Sequence, residues 1–489
     1  MNTRNGITIA LAGLGLGLLG DLLLRNGTVG LNGTLWVSAV LAGLLLLSRQ
    51  MGVPLAGDGR WLVVPALLLT VSYTWHDSEP LMLFSTLGLL ACMVLVMTTA
   101  REGQLREAGL ADYALHGIVA GGMAVAGPLL LLADDIKWGE LPRGGSYAKV
   151  GAVIKGLIIA VPLLLIFGAL LVAADAVFER IVVNAIDFDF GDIPSHVMLT
   201  GFLGWLAAAF LRHTLAGKPI SLPQGAARPA ALHLGPVETG IVLGLLNALF
   251  LAFVLVQFRY FFGGSALVEA SAGMTYAEYA RRGFFELVGV TALVLPLLLL
   301  LHWLQPAENR LFRWLAGSMI ALLCVIMLSA LQRMRLYQLE FGLTELRLYA
   351  TLFMFWLGSL FAWFAATVLR GQRQRFAVGA LVTGLALVLS LQLLSPDTFI
   401  VRTNLNRLAE GKSFDGPYAA SLSADVVPLL VDALPRMEPD QQQAVTETLL
   451  SRWGETRREK LDWRSWNWSR ARAIRAVEEL QPQAAAAQP

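Results

Sequence analysis

FFELVGVTALVLPLLLLLHWL, running from Phe284 to Leu304, carries one charge, Glu286, at its start and no other acid or strong base to its end. A run of this length and apolarity is what a hydrocarbon core about 30 Å thick demands of a helix. A lone strand there would leave its backbone amides unsatisfied, so the stretch is read as a transmembrane helix. Similar blocks lie to either side. They fall at 6–24, 31–48, 61–75, 80–99, 115–133, 152–174, 195–215, 237–258, 311–332, 347–369 and 375–394. The block 61–75 is short for a span. The block 115–133 is loosened by Gly117, Gly121, Gly122, Gly127 and Pro128.

Composition agrees. Of 489 residues, 56% are hydrophobic and 15% charged, with a mean hydropathy of +0.63; a soluble domain averages about 45–50% apolar and about 25% charged. The chain is expected to be all-α: a polytopic bundle of eleven or twelve spans over residues 1–394, a small helical domain over 395–480, soluble or interfacial, and a disordered tail over 481–489. The lipid bilayer is then an obligate partner. A net charge of +2 gives no basic field, so nucleic acid is not expected as a partner.

Several motifs are excluded by context. Gly15 to Gly20 spell a GxGxxG, but a dinucleotide fingerprint needs a strand before it and a helix after it, and these glycines sit within one apolar block. Gly13 and Gly17 form a GxxxG instead, which lets two helices approach closely. Asp21 continues that face and is expected against protein or at the interface. Cys92 and Cys324 are the two cysteines and form no CxxC, so cysteine builds neither a zinc nor a redox site. No HExxH, GxxxxGK[ST] or GxSxG occurs, and His76, His116, His196, His213, His233 and His302 are scattered. No cofactor, no metal ion and no catalytic residue is expected. The N-terminal block lacks a small-residue cleavage site and is read as a first span that stays.

Arginine and lysine in short loops set orientation. Twelve crossings from an inside N-terminus leave no bias. If the fifth block does not cross, every later loop flips and the positive charges gather inside. The C-terminal domain is then extracytoplasmic.

After Leu394, helices are expected at 398–410, 422–434, 439–453 and 468–480, punctuated by Pro396, Pro417, Pro435 and Pro439. Trp453, Trp463, Trp466 and Trp468 either anchor at a membrane interface or fill a small core. Pro128, Pro162 and Pro296 each precede Leu-Leu-Leu; helix kinks account for them as well as a transporter repeat does.

Three polar constellations stand out. In Tyr276 to Glu286, Glu278, Arg282 and Glu286 are successive i, i+4 neighbours beside Arg281. They form a local salt-bridge ladder, or a substrate, headgroup or proton site. In 333–351, Arg333, Tyr337, Glu340, Thr344 and Arg347 share a stripe opposite leucines. That segment lies in the interface, or turns its stripe inward to make a polar cavity of Arg281, Arg282, Glu286, Tyr337, Glu340 and Arg347. Asp187, Asp189 and Asp192 lack EF-hand spacing and read as a solvated acidic loop.

Four phrases carry a family resemblance: Gln257 to Gly264; Tyr276 to Leu287; Leu336 to Tyr349; and Asn404 to Asn406 with Ser423 to Leu430. From about 150 to 475 the chain resembles a bacterial membrane-protein family catalogued as domain of unknown function 4173, with a sister family numbered 4153. The resemblance implies a multi-pass protein of the bacterial inner (cytoplasmic) membrane and carries no established activity. Two functions follow as expectations. One is a transporter-like or lipid-handling bundle whose charged cavity takes a lipid or small solute. The other is a non-transporting scaffold or signalling protein whose C-terminal domain binds a protein partner.

Overall fold

The computed structural model describes residues 2–25, 27–138, 193–218, 234–262, 284–305, 309–454 and 462–486, with a few isolated positions between 156 and 178. Asp187, Asp189, Asp192, Arg281 and Arg282 lie outside the described residues. Among the described residues there are sixteen α-helices and no strand, as an all-α chain requires. In chain order they are α1 Thr3–Leu24, α2 Leu31–Gln50, α3 Val63–Trp75, α4 Glu79–Thr99, α5 Leu110–Leu130, α6 Ile193–Ala216, α7 Pro236–Phe262 and α8 Phe284–Leu304. There follow α9 Arg310–Phe341, α10 Glu345–Thr367, α11 Arg375–Leu394, α12 Pro396–Ala409, α13 Gly416–Ser421, α14 Val427–Ala433, α15 Pro439–Trp453 and α16 Trp468–Ala486. Ten helices among the described residues are long and apolar enough to cross a membrane. The thirteen residues of α3 are not among them, but the 3₁₀ turn Asp58–Leu62 leads straight into it. At about 1.5 Å per α residue and about 2.0 Å per 3₁₀ residue, the pair reaches about 30 Å.

Contacts sort the helix termini into two ends. Arg25 at the close of α1 reaches Ser195 (2.6 Å) and His196 (3.3 Å) at the start of α6. The turn after α3 meets the C-terminal helices through Asn467. This is the C-terminal end of the bundle. At the other end, Gly57 N–H donates to Ala100 O at 3.0 Å, and Arg101 reaches Leu215 O at 3.5 Å. Both termini of α5 lie there. Before its start, Asp58 Oδ2 accepts from Leu105 N–H at 3.0 Å. Beyond its π-helical last turn, Leu131–Asp135, the Arg212 guanidinium meets Asp135 at 2.6 Å and Lys137 N–H donates to Thr3 at 3.4 Å. The fifth apolar block therefore begins and finishes at one end of the bundle, and Ile193 opens α6 at the other.

The first and sixth helices make the closest helix pair. A Cβ built on Gly13 would lie 2.7 Å from Ala208 Cβ, and one on Gly17 would lie 2.8 Å from Gly204 Cα. The small residues thus bring two backbones into contact, which is where packing between membrane helices comes from. Asp21 on the same face is 8% exposed and pairs with His196. Gly17→Ala is expected to force the helices apart and cost about 1–3 kcal/mol, read as a lower unfolding temperature, while Gly15→Ala, whose Cβ meets open space, should leave it unchanged.

The 32 residues of α9 rise about 48 Å, well beyond a hydrocarbon core of about 30 Å. Its last turns run on at the C-terminal end of the bundle, where Met334 still belongs to the packed core. Gly342, with φ +77°, terminates it, and α10 turns back from Glu345. The stretch 333–351 is thus a hairpin between two spans, not one helix lying in the interface. Leu343 and Leu348 of that hairpin join one apolar core with Ile400, Val426, Leu430, Val445, Leu449, Trp453, Ala473 and Val477. The C-terminal helices therefore share a core with the bundle's end. Trp453 is buried in it, whereas Trp463, Trp466 and Trp468 are exposed. Helix α13 was not expected from the sequence, and α16 continues past 480 to Ala486.

Candidate functional site

Where the C-terminal helices meet the bundle, four element starts converge, each with an acid in its first turn: Glu79 of α4, Glu345 of α10, Asp397 of α12, and Asp425 of the 3₁₀ turn Ala424–Val426. Each acid has a local reason to be there, since the N-terminal end of a helix attracts negative charge. Their convergence is tertiary. Asp397 is 1% exposed. Ser423 Oγ donates to Asp397 Oδ2 at 2.5 Å and lies 3.3 Å from Asp425 Oδ2. The Glu345 carboxyl lies against that of Asp397, and Ser78 and Tyr349 complete the wall.

His76 closes the cluster. It caps α3 in extended backbone and stacks on Trp75, with ring centroids 5.7 Å apart. It is 3% exposed, and its Nδ1 stands 3.4 Å from Asp425 Oδ2. Neither ring nitrogen makes a hydrogen bond among the described residues. Nor do Asp397 Oδ1, Asp425 Oδ1, Ser78 Oγ or the Tyr349 hydroxyl. Buried polar atoms are usually satisfied, so six such atoms in one cluster set it apart from the rest of the junction. Burial pushes the Asp397 carboxyl above the usual carboxylate range; the Ser423 hydrogen bond works against that rise and the neighbouring Asp425 adds to it. Burial likewise raises Tyr418, whose hydroxyl accepts the Glu345 N–H at 2.9 Å.

A second polar layer holds the turn that carries His76. The Arg470 guanidinium, nearly fully buried, pairs with Asp77 at 2.9 Å and donates to Thr28 Oγ1 and Val29 O. Asn467 donates to Tyr73 O (3.0 Å) and His76 O (2.7 Å), Ser469 to Trp75 O (2.8 Å), and Leu31 N–H to Trp466 O (2.9 Å).

The residues singled out from sequence are placed differently. Arg347 lies over the Tyr337 ring, 4.1 Å from its centroid, and donates to Phe341 O (3.2 Å) and Gly342 O (2.6 Å). It thereby satisfies carbonyls that the end of α9 leaves open. Glu340 is exposed, and its carbonyl accepts from Arg407 at 2.8 Å. Glu286 is exposed in the first turn of α8 and has no ion-pair partner among the described residues. Of the expected cavity, the described residues bring Tyr337 and Arg347 together. His76, Asp397 and Asp425 escaped the sequence reading, because acids and a histidine hundreds of residues apart have no spacing to recognise. Among the described residues no three His, Cys, Asp or Glu side chains are disposed to hold a metal ion.

These helices and their lengths define a multi-pass integral membrane protein. Its family follows from the sequence match. Residues 63–433, about three-quarters of the chain, match the family described as domain of unknown function 4153, and the chain belongs to it. The sister number, not 4173, is the one that matches. No curated protein and no solved structure matches the chain.

Proposed function

We propose that this protein is a transporter-like membrane bundle that takes up and releases a proton at the His76–Asp425–Asp397–Glu345 cluster, under the seat of its C-terminal helices. The observation that carries this reading is geometric: Asp397, buried, is joined through Ser423 to Asp425, whose Oδ2 faces His76, and among the described residues neither acid forms an ion pair with arginine or lysine. Like charges at close range cannot all stay ionised in a low-dielectric site, so one proton is shared among them. Ser423 bridges Asp397 and Asp425, and His76 stands at the Asp425 end, which gives the proton a path across elements contributed by both the bundle and the C-terminal helices. On this reading the protein lies in the cytoplasmic membrane with its N-terminus inside. Arg4, Arg49, Arg60, Arg101, Arg106 and Arg212 all sit toward the N-terminal end, and short inside loops gather such charge. With the block 152–174 as a crossing and α5 as none, the count is eleven, and the cluster faces the extracytoplasmic side.

A pH jump across proteoliposomes on a solid-supported membrane tests the proton reading. The full-length protein should give a transient charge displacement, and Asp397→Asn with Glu345→Gln should abolish it. Equal transients in both would end the proposal. The sidedness has its own measurement. Ser413, exposed beyond α12, is replaced by cysteine in a background of Cys92→Ala and Cys324→Ala. An impermeant thiol reagent should label it in intact cells, and labelling only after the membrane is broken would put the C-terminal helices inside.

A further inference from the structure

The C-terminal helices present a surface that the proton site does not use. Four exposed tryptophans lie at the C-terminal end of the bundle: Trp75 closing α3, Trp463 and Trp466 before α16, and Trp468 opening it. Trp466 and Trp468 stack edge to face, 6.4 Å apart. Their height is set by the bundle, because Arg464 donates to Leu22 O at 2.5 Å in the last turn of α1 and Asn467 grips the end of α3. Leu22 beside them is 59% exposed, an apolar side chain left uncovered at the close of a span. Tryptophan concentrates at this level, where an amphipathic ring meets the headgroups.

Next to Trp468, an open cleft of about 340 Å³ runs between α14 and α16, lined by Pro428, Asp432, Trp468, Arg472, Arg475 and Glu479 among others. It holds two guanidinium groups and two carboxylates. Among the described residues none of the four forms an ion pair within 4 Å, and Arg475 Nε reaches only the Ala471 carbonyl, at 3.3 Å. A cleft with both signs of charge and no internal pairing is complementary to a ligand that carries both. Arginine forks match phosphate oxygens, and Asp432 and Glu479 match a primary ammonium group a few bonds away. An aromatic ring beside them suits the glycerol and first methylenes. We infer that the cleft binds the headgroup of a zwitterionic aminophospholipid of the phosphoethanolamine type, taken from the outer leaflet in which the tryptophans sit.

Native mass spectrometry of the delipidated full-length protein tests this with three lipids of one acyl composition. They carry phosphoethanolamine, phosphocholine or phosphoglycerol headgroups. The phosphoethanolamine lipid should bind tightest, and about tenfold weaker binding is expected in each of two double variants, Arg472→Gln with Arg475→Gln and Asp432→Asn with Glu479→Gln, since each removes charge-assisted hydrogen bonds. All four side chains line an open cleft, so the unfolding temperature without lipid should not move. The phosphocholine lipid keeps the phosphate, but its methylated ammonium cannot donate. It should bind wild type as weakly as the phosphoethanolamine lipid binds the Asp432/Glu479 variant. Phosphoglycerol or phosphocholine lipid binding as tightly as phosphoethanolamine lipid would overturn the inference, and so would unchanged affinity in either double variant.

Discussion

Arg470→Gln is expected to be the most destabilising single substitution at the junction, lowering stability by about 3–5 kcal/mol, the range for removing one partner of a buried ion pair. The guanidinium is nearly fully buried and serves three elements at once: Asp77 after α3, Thr28 and Val29 between α1 and α2, and the start of its own helix through Ser465 O. Glutamine keeps part of the volume but neither the charge nor the fork. The double variant with Asp77→Asn should lose less than the sum of the two singles, because the same interaction is removed twice. Thermal unfolding of the purified protein reads the cycle, and limited proteolysis locates it. Cleavage within 462–480 should accelerate in Arg470→Gln. Glu286→Gln is the contrast. An exposed acid with no described partner should cost about 0–1 kcal/mol. Additive losses for Arg470 and Asp77 would mean that the ion pair does not hold the C-terminal helices to the bundle.

The second large effect is in the pH dependence of stability. Asp397 has its carboxyl raised in the folded protein, so the folded state keeps its proton to higher pH than the unfolded chain does. Stability from this group is full below the ordinary aspartate value of about 3.9 and is lost as pH rises through the folded value, because the unfolded chain releases its proton first. Asparagine at 397 does not titrate and can still accept from Ser423. Asp397→Asn should therefore match wild type in acid and exceed it increasingly as pH rises, with a flatter profile throughout. The facing groups set the size of the difference: Glu345 and Tyr349 from α10, Ser78 and Glu79 before and in α4, Asp425 and Ser423 from the C-terminal helices, and His76 beyond them. Parallel profiles for the two proteins would show that Asp397 is ionised in the fold and that the helix N-termini alone hold its charge.

Much of the fold could be read directly from the chain because a bilayer is a harsh solvent. Twenty apolar residues in a row have one stable conformation there, so the described helices follow from local composition, although α9 runs nine residues past its apolar block to Phe341. The Gly13–Gly17 stripe declared a close helix contact for the same reason, since only glycine admits a second backbone. Asymmetry of arginine and lysine singled out the fifth apolar block, and the contacts at both ends of α5 fall at one end of the bundle. What local pattern could not deliver was partner choice. It left the tryptophans open between core and interface, and the structure divides them, Trp453 to the core and the other three to the surface. It left Arg347 open between an interfacial stripe and a polar cavity, and the fold has it donate to the carbonyls at the end of α9.

The amino-acid sequence by itself determined that this protein is a helical membrane bundle with a polar C-terminal extension, because hydrophobic length and helix-breaking residues act over one helix at a time. Only the tertiary structure decided that His76, Glu345, Asp397 and Asp425 share one buried cluster. Each sits at a helix end for a local reason. Their meeting depends on which helix termini share an end of the bundle and on the apolar core that joins Leu343 and Leu348 to Ile400, Val426 and Val477, and burial among one another is what turns four ordinary helix-end residues into one interacting cluster.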